Sequence, residues 1–191
     1  WMPLCERASS YGGTMKLDTL FQQLDAQAIP PLERWDPPFC GEMDLLIAAN
    51  GEWIHEGTPI RRPALVNLLS RVLRREADGD YYLVTPGEKL RIGVEDLPLW
   101  VTDADQVGAD WVAVTACGDR VPLDVSHRLS LLATPDGDLL PALPVRHGLW
   151  ARLHRNLYYR WIELAEQQGN ELGLYSGGAW HPLGRLDDGA R

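Results

Sequence analysis

The sequence predicts an α+β fold built on a duplicated core of strand hairpin, helix and strand hairpin. Three observations predict it. TPIRRPALVNLLSRVL (58–73) and LPVRHGLWARLHRNLYYRWIEL (143–164) both write Pro, a β-branched residue and Arg, then an amphipathic helical stripe. Strand-like runs with Gly turns flank each phrase. The chain has 191 residues, 45% of them hydrophobic, enough for one good core or two small ones.

The elements follow in order. Residues 1–14, WMPLCERASSYGGT, are polar and Gly/Ser-bearing and read as a disordered extension or a cloning remnant ahead of MKLDTLFQQLDAQ. Leu17, Leu20, Phe21 and Leu24 keep helical spacing, which predicts a helix over 16–27. AIPPLERWDPPFCG (28–41) carries four prolines and reads as extended chain lying along the body, with Trp35 and Phe39 as its large apolar residues. MDLLIAANGEWIHEG reads as strand, Asn50-Gly51 turn, strand, with positive φ accepted at both turn residues. Pro63 suits a first helical turn, and Leu65, Leu68, Leu69, Val72 and Leu73 extend a stripe through Arg75. Residues 81–96 read as two strands about a Pro-Gly turn. Residues 97–145 are mostly strand, with Trp111, Ala113 and Thr115 on one face. A long helix is expected over about 148–168, and two strands about Gly177-Gly178 close the chain. Domains are expected at 15–97 and 98–191.

Laying Arg61 over Arg146 puts Leu65 on Trp150, Leu68 on Leu153, Val72 on Leu157 and Arg75 on Arg160. The apolar stripes coincide while the letters differ, which reads as a duplicated domain. Two related domains packed face to face would bring equivalent arginines towards one cleft. A guanidinium fork suits anionic oxygens, and helix N-termini add to the attraction. The competing reading of each Arg is an ordinary salt bridge.

Net charge is −9 at pH 7, which argues against non-specific binding to nucleic acid or anionic membrane. No apolar run approaches the roughly 20 residues of a membrane span. Three cysteines, with no CxxC pair, read as reduced thiols in a cytoplasm. No GxGxxG after a strand, GxxxxGK[ST], HExxH or GxSxG is present. The five histidines are dispersed and read as structural or surface groups, so neither a metal nor a cofactor is expected.

FCGEMDLLI, GTPIRRPALVNLLSRVLRREADGDYYLVTPGEKLRIGVEDLPL and GDRVPLDVSHRLSL resemble the bacterial domain-of-unknown-function family 1285. LPVRHGLWARLHRNLYYRWIELAE and GLYSGGAWHPLG continue the likeness. Its most specific part is Pro59, Ile60 and Arg62, then residues 83–86 with Glu88 and Lys89, then residues 94–96 with Pro98. Leu99 stands where an aromatic is expected, and Trp100 beside it is the residue to fill that volume. The resemblance implies a duplicated α+β core whose second half is a pleckstrin-homology-like sheet or partial barrel with one long helix. It also implies a ligand site between the halves for a nucleotide-like molecule, a role in signal transduction and no enzymatic activity.

The expected function is therefore a cytoplasmic two-domain module that binds a small anionic, nucleotide-like ligand and works with a signalling partner. Candidate contacts are Arg61, Arg62 and Arg146 for phosphate-type oxygens. Glu88 and Lys89 of TPGEK, with Glu95, would recognise polar groups, and Trp35 or Tyr82 would stack on a ring. Each has a structural alternative: a solvated turn for Glu88 and Lys89, a bridge to Arg91 or the helix for Glu95, a bridge to Glu76 or Asp78 for Arg62. Two other functions compete. One is a protein–protein adaptor docking through a sheet edge or the 28–39 segment. The other is an enzyme on a phosphorylated small molecule.

Overall fold

A computed structural model describes residues 32–186. The helix expected over 16–27 and the extension over 1–14 lie outside these residues. The chain divides into two compact units, with the boundary between Glu95 and Asp96. Among the described residues no helix is long and apolar enough to cross a membrane.

Unit 1 begins with a 3-10 turn at Leu32–Arg34 and holds β1 (Phe39–Ile47), β2 (Trp53–His55), β3 (Thr58–Pro59), α1 (Pro63–Arg71), β4 (Leu73–Arg75), β5 (Tyr81–Val84) and β6 (Lys89–Val94). Its sheet runs β3-β2-β1-β6-β5-β4. Every neighbouring pair is antiparallel except the central β1–β6 pair, which is parallel. Met43, Leu45 and Ile47 of β1 alternate inward and join Leu68 and Leu69 of α1 in the buried set. The helix stops at Arg71, and Leu73–Arg75, expected as its last turn, is strand β4. Leu73 and Arg75 pair with Leu83 and Tyr81, so ladder bonds outweigh helical spacing there.

Unit 2 holds β7 (Leu99–Val107), β8 (Asp110–Thr115), β9 (Arg120–Pro122), β10 (Ser130–Ala133), β11 (Leu139–Arg146), β12 (Leu149–Leu153), α2 (Arg155–Leu164), β13 (Glu166–Gln168), β14 (Glu171–Ser176) and β15 (Ala179–Arg185). Its larger sheet, written from the opposite edge, runs β9-β8-β7-β12-β11-β10, again with a parallel central pair, β7–β12. The two sheets share one topology. Each is a curled half-barrel, so the duplicated α+β core is present. β13–β15 form a separate antiparallel sheet that packs with α2 and the larger sheet.

The shared topology corrects the register of the repeat. β1 to β6 correspond in order to β7 to β12. Ala77-Asp78-Gly79 between β4 and β5 thus matches Pro135-Asp136-Gly137 between β10 and β11. In both, the Gly N–H bonds back three residues to Glu76 or Thr134, and Gly79 and Gly137 have φ +86 and +91. Arg61 follows the third strand of its repeat, whereas Arg146 ends the fifth strand of the other. They are not equivalent. α1 has as its counterpart the loop over 123–129, and α2 follows the second repeat rather than belonging to it.

Further expectations change. Leu149–Leu153, read as the start of a long helix, is strand β12, since Leu149, Ala151 and Leu153 alternate inward and His154 is the N-cap of the shorter α2. At the β1–β2 turn only Gly51 has positive φ, and the Gly51 N–H bonds to the Ala48 carbonyl. The true two-residue turn is the next one, Glu56-Gly57, with φ 50 and 79 between the paired His55 and Thr58. Leu99 is buried and Trp100, next along the strand, faces the other side, so Trp100 does not fill the volume of the missing aromatic. Cys40 is disulfide-bonded, which departs from the reduced state expected of it.

Candidate functional site

Arg61 and Arg62 sit on the joint between β3 and α1. Pro59 and Pro63 bracket them, and Arg62 takes the extended conformation that the residue before a proline prefers, φ −95 and ψ 107. Both are exposed. Among the described residues no carboxylate holds either of them. Arg62 does not bridge to Glu76 or Asp78, because Glu76 is taken by Arg74 and Lys89, and Asp78 accepts the Tyr82 hydroxyl. The start of α1 adds less than expected. Pro63 has no N–H, and those of Leu65 and Val66 both go to the Arg62 carbonyl at 3.1 and 3.2 Å.

Arg146 is differently placed. It lies at the end of β11, beside the His147-Gly148 turn and before β12, not at a helix start. Its Nε donates to Asp119 Oδ1 at 3.1 Å and its Nη2 to Asp119 Oδ2 at 3.5 Å, with both side chains largely buried. Thr115 Oγ1 donates to the same carboxylate at 3.0 Å. Arg146 therefore fastens the β11–β12 turn to the β8–β9 turn. The salt-bridge reading describes it, and the ligand role assigned to it is corrected.

The remaining candidates form part of a network on unit 1. Glu76 receives Arg74 Nη2 at 2.8 Å and Lys89 Nζ at 2.5 Å. Burial pushes its carboxyl up, but hydrogen bonds from Lys89 and Arg74 outweigh this and hold it below the ordinary range. The Lys89 ammonium lies 4.8 Å from the centre of the Tyr82 ring, and the Phe39 ring meets that ring edge-on, with centroids 6.1 Å apart. Tyr82 is 4% exposed, so its ring is not open to stack on a ligand; that role is corrected. Glu95 Oε2 accepts the Ala49 N–H at 2.9 Å and so ties the end of β6 to the β1–β2 turn, not to Arg91. Glu88 sits in the β5–β6 turn, where its N–H bonds Thr85 Oγ1, and burial raises its carboxyl. Trp35 is half-buried; its carbonyl and that of Leu32 accept Arg74 Nη1 at 2.9 and 2.8 Å. The 32–39 stretch does lie along the body, as its prolines and large apolar residues suggested.

Lys89 and Tyr82 thus meet each other, while Arg61 and Arg62 stand apart from that network. Sequence reading missed the most heavily bonded side chain, Arg152. It is 3% exposed and donates five hydrogen bonds: two to Asp96 at 2.8 and 3.0 Å, and three to the carbonyls of Leu132, Leu140 and Ala133. Its neighbours in LWARL place it on the face opposite the inward residues, so alternation alone disguised it. Among the described residues no group of His, Cys, Asp and Glu is arranged to hold a metal ion.

Two tandem half-barrel sheets, each closed at its centre by a parallel pair of its first and last strands, define a duplicated β-rich class, with two α-helices among the described residues. Family comparison gives that class its name. The chain belongs to the DUF1285 family: the model of its N-terminal domain of unknown function matches residues 30–97 and that of its C-terminal domain residues 98–183. A crystal structure of a DUF1285 family protein from Silicibacter pomeroyi DSS-3 is 33% identical, with TM-score 0.85 over 92% of this chain and 98% of that one. Another, from Shewanella baltica OS155, is 28% identical, with TM-score 0.51 over 63% of this chain and 91% of that one. No curated protein matches the chain.

Proposed function

We propose that the chain is a cytoplasmic, non-enzymatic module that binds a small anionic, nucleotide-like ligand through Arg61 and Arg62 and serves in signal transduction. One observation carries the reading. In a chain with 27 acidic and 18 basic residues, Arg74, Lys89, Arg91, Arg120, Arg146, Arg152 and Arg160 each meet a carboxylate. Arg61 and Arg62, adjacent and exposed, meet none among the described residues. Two neighbouring guanidiniums on a proline-stiffened joint are set to donate to phosphate-type oxygens with little ordering cost. The reading needs no contribution from Arg146.

Thermal-shift and calorimetric titration with nucleoside mono-, di- and triphosphates and inorganic pyrophosphate test it. A ligand at a hundred times its Kd stabilises by about 2.7 kcal/mol. The Arg61→Ala/Arg62→Ala double variant should lose that gain while keeping the melting temperature of the free protein. No stabilisation by any of these anions, or the same stabilisation in the double variant, sinks the reading. The adaptor alternative loses part of its basis, since the described part of the proline-rich segment is held to unit 1 by Arg74.

A further inference from the structure

The β13–β14–β15 sheet has one face packed inward, with Leu174, Ser176, His181 and Leu183 buried. Its other face carries an aromatic pair. Tyr175 is opposite Trp180 in register, and their rings are 4.9 Å apart and tilted by 59°. Tyr175 is 53% exposed. The Trp180 indole lies over Gly173, whose missing side chain makes room for it: a Cβ there would stand 2.7 Å from the indole Cζ2. Residues directly opposite or two apart on a strand share a face. Glu166 opposes Gly173, and Gln168 opposes Glu171, so these side chains rim the same aromatic face.

The rim is polar and acidic. Glu171 Oε1 accepts the Trp180 indole N–H at 3.2 Å, which draws that proton towards a negative charge and enriches the ring face. Gln168 Nε2 donates to the Tyr175 hydroxyl at 2.9 Å and steadies the second ring. Arg185 already lies 3.9 Å from Glu171 Oε2, so the rim draws a guanidinium from the neighbouring strand. Glu166 is exposed on the adjacent edge strand.

We propose that this face docks a basic peptide segment of a partner protein, with a lysine or arginine side chain laid on Tyr175 and Trp180 and its charge met by Glu166 and Glu171. Aromatic faces attract cations, and the carboxylates supply charge complementarity. An open sheet face does not enclose a free ion. A peptide adds contacts along the edge strand β13 and so reaches useful affinity. The site is separate from Arg61 and Arg62 and takes the opposite charge.

Anisotropy of a fluorescein-labelled Lys/Arg-rich peptide, titrated with the full chain, tests this. Saturable binding is expected, absent for the same peptide with Gln replacing each basic residue. Tyr175→Ser should weaken it about two- to five-fold, the scale of one exposed cation–π contact. Glu166→Gln should weaken it about two-fold. Tetramethylammonium at millimolar concentration should not compete, since a free cation lacks the edge contacts. The proposal is overturned by no saturable binding, or by binding equal in Tyr175→Ser and Glu166→Gln, which would report only attraction to an acidic protein. Full competition by tetramethylammonium would replace the peptide with a free small cation and overturn the partner assignment. Retention of anion binding at Arg61 and Arg62 in Tyr175→Ser separates the two sites.

Discussion

The two units share six strands in one order and solve the same problem with different chemistry. In unit 2 the last strand of the repeat, β12, carries Arg152, a buried guanidinium that reaches over β11 to β10 and back to Asp96. In unit 1 the last strand of the repeat, β6, carries no such buried guanidinium: its Arg91 meets Glu42 and Asp80 with the side chain 37% exposed. Unit 1 instead uses Arg74, Glu76 and Lys89, a network only partly withdrawn from water. Topology is therefore inherited while the polar fastenings are local. A buried fastening also holds more: desolvation makes it costly to break, whereas water and ions screen the exposed one.

The largest expected effect is Arg152→Met. It leaves the Asp96 carboxylate buried without its partner and frees three carbonyls, so unit 2 should lose about 3–5 kcal/mol. Urea unfolding followed by tryptophan fluorescence measures it. Asp96→Asn/Arg152→Met should recover part of the loss, because the stranded charge is gone. By contrast Arg74→Met should cost unit 1 about 1–2 kcal/mol, since its partner Glu76 keeps Lys89. Equal losses from Arg152→Met and Arg74→Met would erase the distinction between the two fastenings.

Next comes acid. His181 is fully buried in unit 2, where Nδ1 accepts the Leu129 N–H at 3.2 Å and Nε2 donates to the Ser176 carbonyl at 3.1 Å. Burial lowers its pKa below the ordinary histidine value. The unfolded chain then binds the proton more readily, beginning near pH 6.5. Stability of unit 2 should be fully present above that pH and fall as pH drops towards the folded value. His181→Gln should flatten the slope of unfolding free energy against pH below about 6.5 while lowering stability at pH 7. A slope unchanged in the variant would remove His181 as its source.

Much of this was legible in the sequence, and the limits were physical. Pro and Gly positions placed the hairpins, and period-two alternation placed β8 with its buried face. The duplication was visible, but its register was not. Helical stripes drew the comparison to Arg61 and Arg146, yet helices are the parts the two repeats do not share. Strands β4 and β12 were hidden because a run such as Leu149–Leu153 satisfies helical and strand spacing alike when it is short. Arg152 and Arg146 could not be paired in advance, since their acids lie 56 and 27 residues away in the chain. Arg61 and Arg62 stand out in the sequence because prolines mark the joint they occupy.

The smallest expected effect concerns the tight turns. Glu56-Gly57 joins β2 to β3 with φ 50 and 79, the positive pair that a type I′ hairpin requires. Glycine carries such a conformation without a Cβ penalty, but glutamate does not, and asparagine tolerates it better. The matching joint of unit 2, between β8 and β9, spends four residues, Ala116-Cys117-Gly118-Asp119, with positive φ at Gly118. That longer turn leaves the strain out. Glu56→Asn should therefore stabilise unit 1 by about 0.5 kcal/mol, read as a small rise in urea midpoint with unchanged m-value. Ala116→Asn, in a turn without that requirement, should leave the midpoint of unit 2 where it is. A gain in both variants would mean that the substitutions act through the unfolded chain, and the difference between the two turns would no longer explain the glutamate at 56.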